Sequence, residues 1–125
     1  MARILVVGSV SVTREMLCRV LEYAGHEALE AEGGPTGTRM FRQRACDLVV
    51  VDINKPEERD VEAIREFRQG FPGVEIIALM ASEAPVGKSC VSEAARAAGA
   101  SVLMKKPFDI DKILELVERL LIARG

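Results

Sequence analysis

The stretch Asp47 to Pro56, DLVVVDINKP, narrows what this chain can fold into more than any other. Leu48 to Val51 is an unbroken apolar run, mostly β-branched, with no polar residue to turn toward water on either side. Such a run fits a strand covered on both faces, the situation of parallel sheets sandwiched between helices. Asp52 ends the run, and Ile53-Asn54-Lys55-Pro56 follows as a loop. A charge there stands at the carboxyl edge of the strand, where open α/β sheets gather ligands and chemistry. An Asx turn or a cap before Pro56 accounts for the same residue without any chemistry. Asp52 alone leaves both readings open.

The rest of the chain repeats the strand-then-helix pattern. Ile4 to Val7 is a second apolar run, followed by the small and hydroxyl residues Gly8-Ser9-Val10-Ser11-Val12-Thr13. From Thr13, Met16, Leu17, Val20, Leu21 and Ala24 recur at helical spacing, and Gly25 is placed to end the helix in a left-handed conformation. Glu27 to Ala31 is short and weakly apolar, which suits an edge strand. Glu32-Gly33-Gly34-Pro35 is a turn cluster, and Thr36 can cap a helix that turns Met40 and Phe41 inward. Val61, Ile64 and Phe67 mark a helix closed by Gly70 and Pro72, and Val74 to Met80 is the fourth strand. Ser82 to Gly87 reads as a loop, and Val86, Cys90, Ala94, Ala95 and Ala98 predict a helix ended by Gly99. Val102 to Met104 is the fifth strand. Asp109 is a good N-cap for a last helix carrying Ile110, Ile113, Leu114, Val117, Leu120 and Leu121.

Five such units imply a flavodoxin-like, doubly wound α/β fold: a five-stranded parallel sheet flanked by five helices. With the weak second strand at an edge, the strand order is 2-1-3-4-5, and the chain reverses direction between strands one and three. The crevice then opens beside Asp52, and its walls bring Gly8, Ser9, Asp52, Met80 and Lys106 to one place.

At 125 residues, 49% hydrophobic and 29% charged, residues 1–125 are expected to form a single domain. The net charge of −2 is spread along the chain without a basic block, which argues against a nucleic-acid surface. Apolar stretches are strand-sized and no signal-peptide pattern opens the chain, so no membrane contact and a cytoplasmic location are expected. Cys18, Cys46 and Cys90 are odd in number and far apart, so they read as reduced thiols rather than metal ligands, with His26 the only histidine.

Taken together, ILVV near the start, AGHEALEAEGG, DLVVVDINKP, EAIREFR, IIALMAS and AGASVLMKKPFD resemble a response-regulator receiver domain, the CheY-like phosphoacceptor module of two-component signalling. The resemblance spans the chain. It implies a signalling module rather than an enzyme, with Asp52 taking a phosphoryl group from a sensor histidine kinase or phosphotransfer protein and passing the signal to an effector protein or domain. It also implies that Lys106, in the sequence KPF, contacts the phosphoryl group. Apart from the resemblance, Lys106 is equally a surface lysine before a turn proline.

The family's other site positions are filled differently here. Two acidic residues usually follow strand one to hold Mg2+, and this chain has Gly8 and Ser9. Thr or Ser usually ends strand four, and here it is Met80; Tyr or Phe usually stands in strand five, and here it is Leu103. Asp60 occupies the place of a common glycine. Mg2+ prefers hard oxygen ligands in octahedral array. Asp52 and the backbone carbonyl of Asn54 would be left to hold it, with Glu57 or Glu58 as substitutes, so weak binding is expected. A thioether at position 80 cannot donate a hydrogen bond to a phosphoryl oxygen.

Two classes of function stay open on these residues: a phosphoacceptor at Asp52, and a pseudo-receiver acting through protein contacts alone. A flavodoxin-like phosphate-cradling loop at Gly8 to Thr13 is a third reading, but the later loops lack the aromatics that sandwich a flavin. No Ser-His-acid set can be built from His26, which belongs in a turn away from the pocket.

Overall fold

The computed structural model describes residues 1–53, 58–80, 85–86, 89–107 and 109–124. Its main sheet contains β1 (Arg3–Val7), β2 (Glu27–Ala31), β3 (Leu48–Ile53), β4 (Glu75–Met80) and β7 (Val102–Lys105). All pairings in it are parallel, in the order β2-β1-β3-β4-β7. With β7 as the fifth strand of this sheet, that is the 2-1-3-4-5 order expected from the sequence. The helices are α1 (Ser11–Tyr23), α2 (Gly34–Gln43), α3 (Glu58–Gly70), α4 (Val91–Ala98) and α5 (Ile110–Arg124).

Strand alternation divides the core into two layers. Val49, Val51 and Ile53 of β3 join Ala78 and Met80 of β4, with Phe41, Val61, Ile64, Phe67 and Val91, under α2, α3 and α4. Leu48 and Val50 join Ile77 and Leu79, with Leu17, Leu21, Ile113 and Val117, under α1 and α5. This explains why the β3 run is apolar throughout: both of its faces are covered, and all six of its residues are buried. Close approach of α2 to α3 depends on Gly37, where a Cβ would stand 2.9 Å from the Phe67 ring.

Local boundaries follow their chemistry. Gly25 and Gly99 take φ of +93° and +122° after α1 and α4, conformations that glycine adopts at no steric cost. The Asp109 carboxylate accepts the Asp111 N–H at 2.8 Å and so caps α5 as expected.

Three expectations are corrected. The fourth helix begins at Val91, not near Val86; before it, Pro85–Val86 (β5) and Ser89–Cys90 (β6) form an antiparallel hairpin. Pro85 and β-branched Val86 favour extended backbone over a helical start. Helix α2 begins at Gly34 with Gly33 as its cap residue, and Pro35 occupies its first turn. Pro suits that turn, where an N–H would lack an intrahelical partner, so Thr36 lies inside the helix instead of capping it. Helix α1 begins at Ser11, two residues earlier than its apolar periodicity.

Candidate functional site

Asp52 is the next-to-last residue of β3 and is paired in register with Leu79. It is only 2% exposed, and both carboxylate oxygens are screened from solvent. Lys106, directly after β7, places its Nζ 2.5 Å from Asp52 Oδ1. The Lys106 N–H also donates to the carbonyl of Met80 at 2.7 Å, and the Lys106–Pro107 peptide is cis. One residue thus ties together the carboxyl ends of β3, β4 and β7. Contact between Lys106 and Asp52 is an ion pair by distance, while Asp52 Oδ2 has no hydrogen-bond partner among the described residues. A buried carboxylate oxygen in that condition is costly to the fold and marks a site.

Gly8 sits directly against this carboxylate. Its N–H donates to Ala31 O at 3.0 Å, and its carbonyl accepts Arg14 Nη1 at 2.6 Å. Arg14 is anchored in turn by Glu30 at 2.8 Å. A Cβ built on Gly8 would stand 3.1 Å from the Asp52 Cβ and 3.7 Å from its Oδ2, so the missing side chain is what lets the two strand ends close up. Ser9 is exposed at the rim. A cavity of about 540 Å3 opens here, lined by Val7, Gly8, Ser9, Val51 and Asp52 on one side and by Arg59, Asp60 and Glu66 of α3 on another.

The positions grouped in the crevice do not all contribute side chains to it. Met80 is 3% exposed and packs in the core under α2, α3 and α4, so only its carbonyl serves the site. Strand alternation is the reason: Asp52 is in register with Leu79, and Met80 takes the opposite face. Leu103, in register with Ala78, packs against the same core. His26 is far from the pocket and buried. Its Nδ1 accepts the Ala2 N–H at 3.1 Å and its Nε2 donates to Glu118 at 2.9 Å. Asn54 and Glu57 lie outside the described residues, as do Ala81 and Ser82, and so does the side chain of Glu58.

The donor set beside Asp52 is poor in the hard oxygen ligands that Mg2+ requires. Gly8 offers no side chain, Ser9 only a neutral hydroxyl, and Asp52 Oδ1 is already beside an ammonium. Among the described residues no cluster of three His, Cys, Asp or Glu could hold a metal ion. These residues do not fit a divalent cation.

Arg59 was not singled out by periodicity or motif. A usable signal was its place seven residues after Asp52, in the first turn of the following helix, which returns the chain to the sheet's carboxyl edge. Of the three cysteines, expected to be buried reduced thiols, Cys18 and Cys46 are buried, whereas Cys90, just before α4, is half-buried. Burial pushes the Cys18 thiol up to about 12 and that of Cys46 to about 11.

Comparison with known proteins agrees with this architecture. Residues 4–118 match the family model of the response regulator receiver domain. The chain is 32% identical over 120 residues to the chemotaxis protein CheY of Bacillus subtilis, covering 95% of this chain and 97% of that one. It is 30% identical to CheY of Thermotoga maritima, covering 94% and 95%. Among solved structures, a CheY-like receiver domain protein from Methanospirillum hungatei superposes with a TM-score of 0.84 at 22% identity, covering 99% and 96%. The chain belongs to the response-regulator receiver family of two-component systems. Receiver domains are signalling modules, not classical enzymes, and they interact with histidine kinases and effector domains. Among the described residues no helix is long and apolar enough to cross a membrane.

Proposed function

We propose that this domain is a cytoplasmic phosphorelay receiver in which Asp52 accepts a phosphoryl group from a sensor histidine kinase or phosphotransfer protein and Lys106 contacts that group. The observation that carries the reading is the buried Asp52–Lys106 pair at the carboxyl edge of the sheet, 2.5 Å apart. Lysine lowers the cost of gathering negative charge on the acceptor, and phosphoryl transfer depends on such neutralisation and on positioning. Mg2+ binds weakly at best, because Gly8 and Ser9 supply none of the carboxylates that would hold it. Output passes to an effector protein or domain through a weakened switch, since Met80 and Leu103 have no polar group to follow a phosphoryl oxygen.

A second reading is favoured by the complete burial of the Asp52 side chain. On it, the Asp52–Lys106 pair is a fixed structural element and the domain is a pseudo-receiver, a protein-interaction module that does not depend on phosphorylation. Exposure of the chain and of Asp52→Asn to acetyl phosphate with Mg2+, read by intact mass, separates the two. One added phosphoryl group, lost in the variant, supports the phosphoacceptor; no added mass in either leaves the pseudo-receiver.

A further inference from the structure

Arg59 stands in the first turn of α3 and lines the same cavity of about 540 Å3 as Gly8, Ser9 and Asp52. Among the described residues lining that cavity it is the only basic one. A phosphoryl group in transfer spreads negative charge over three oxygens, and a catalyst acts chiefly by neutralising that charge. Lys106 brings one positive charge to Asp52 Oδ1. Gly8 and Ser9 supply no carboxylate to hold a divalent ion beside Asp52, so a second cation from the protein would serve in its place.

We infer that Arg59 is that cation: its guanidinium takes the place of a metal ion, and Asp52 is phosphorylated without a divalent cation. The inference rests on the reading of Asp52 as phosphoacceptor. Guanidinium suits the role because its planar fork matches two phosphoryl oxygens at once. Glu32, Asp60, Glu62 and Glu66 also line the cavity, so an incoming phosphoryl group needs a cation on its path.

The step balances without a co-reactant. Oδ2 of Asp52, the oxygen Lys106 does not hold, forms a bond to phosphorus as the phosphorus–nitrogen bond of the donor breaks. The electron pair of that bond leaves with the nitrogen. With phosphoramidate, whose nitrogen is already protonated at neutral pH, the leaving group is ammonia and nothing is oxidised or reduced.

The test exposes the whole chain, Arg59→Gln, Arg59→Lys and Asp52→Asn to phosphoramidate, once in EDTA and once in excess Mg2+, with intact mass as the readout. The parent is expected to gain a phosphoryl group at the same rate in both conditions, and Asp52→Asn to gain none. Arg59→Gln should lose roughly tenfold or more of the metal-free rate, while Arg59→Lys, which keeps the charge, retains a measurable part. Ser9→Asp should introduce a dependence on Mg2+. Equal rates in the parent and Arg59→Gln, or a parent that reacts only with Mg2+, would overturn the role of Arg59 and leave Asp52 as phosphoacceptor. No mass gain under either condition would overturn both.

Discussion

At the amino edge of the sheet, polar groups are held several times over. Arg3 donates to Glu27 and to the Ala45 carbonyl, its N–H is bound by Asp47, and Arg44, just after α2, joins Glu27. Farther along that edge, Arg68 reaches from α3 to the carbonyls of Pro72, Val74 and Gly99, and the Ser101 hydroxyl takes the Ile76 N–H. At the carboxyl edge, among the described residues, one lysine faces a wholly buried carboxylate, and one oxygen of that carboxylate has no hydrogen-bond partner. The first arrangement fixes where strands begin; the second tolerates an unmet polar group at the point where chemistry is expected. Native proteins satisfy nearly all buried polar groups, so the exception carries information.

The largest effect comes from breaking the weaker edge. Lys106→Met leaves the Asp52 charge buried without a cation and should cost about 3 kcal/mol of stability. Asp52→Asn should cost far less, because Lys106 is partly exposed and can turn its ammonium toward water. In the Asp52→Asn background, Lys106→Met should then be nearly silent. Urea midpoints of the four proteins give the coupling directly. Equal costs for Lys106→Met in both backgrounds would show that the two residues do not act as a pair.

Breaking the well-held edge should cost somewhat less per residue. Arg68→Ala removes charged donors from three carbonyls, two of them in connections at the starts of β4 and β7, for about 2 kcal/mol. That loss should appear as faster hydrogen exchange at Ile76 and Ser101 while the amides around Asp52 stay protected. A uniform loss of protection would mean that the two edges unfold together and are not separately stabilised.

How far the molecule could be read in its sequence follows the same division. Strands and their order were legible because apolar runs, period changes and glycine stops are local signals, and the parallel sheet follows from their alternation. The meeting of Asp52 and Lys106 was legible because both stand just where a strand ends. Side-chain direction at those ends was not. Met80 looked like a wall of the crevice, but whether residue 80 or its neighbour faces Asp52 depends on register across β3 and β4, which a single sequence does not print. Arg59 was missed because the first turn of a helix carries no apolar period to fix its facing. The hairpin before α4 was hidden because Val86 and Cys90 also fit the helical spacing that follows.

A smaller effect sharpens the contrast in acid. Hydrogen bonding to Arg3, and then to Arg44, holds the Glu27 carboxyl below its ordinary range. A depressed folded-state value means that stability from this group is present above the unfolded value of about 4.5 and is lost as pH falls through the folded one. Glu27→Gln should therefore flatten the acid limb of the stability curve and leave neutral stability little changed, because both partners are surface groups. An acid limb identical in the two proteins would assign acid unfolding to other carboxylates.

The smallest response is expected where receivers normally signal. A ligand shifts a conformational equilibrium only through its different interaction with the two states. Here Met80 is locked in the core under α2, α3 and α4, and Leu103 packs beside it, so neither offers a phosphoryl group a reason to draw β4 and β7 toward Asp52. Amide chemical shifts of residues 91 to 103 should accordingly stay nearly constant when Asp52 carries a phosphoryl group or beryllofluoride. Met80→Thr with Leu103→Tyr should raise the response only if the new hydroxyl at position 80 can leave the core face, and the cavity it creates should cost about 2 kcal/mol or more. Large shifts in the unaltered chain would show that the carboxyl edge communicates through Lys106 alone. That route is physically available, since Lys106 joins Asp52 through its ammonium and β4 through its N–H to the Met80 carbonyl. Lys106→Met in the phosphorylated protein then decides whether that link carries the shift.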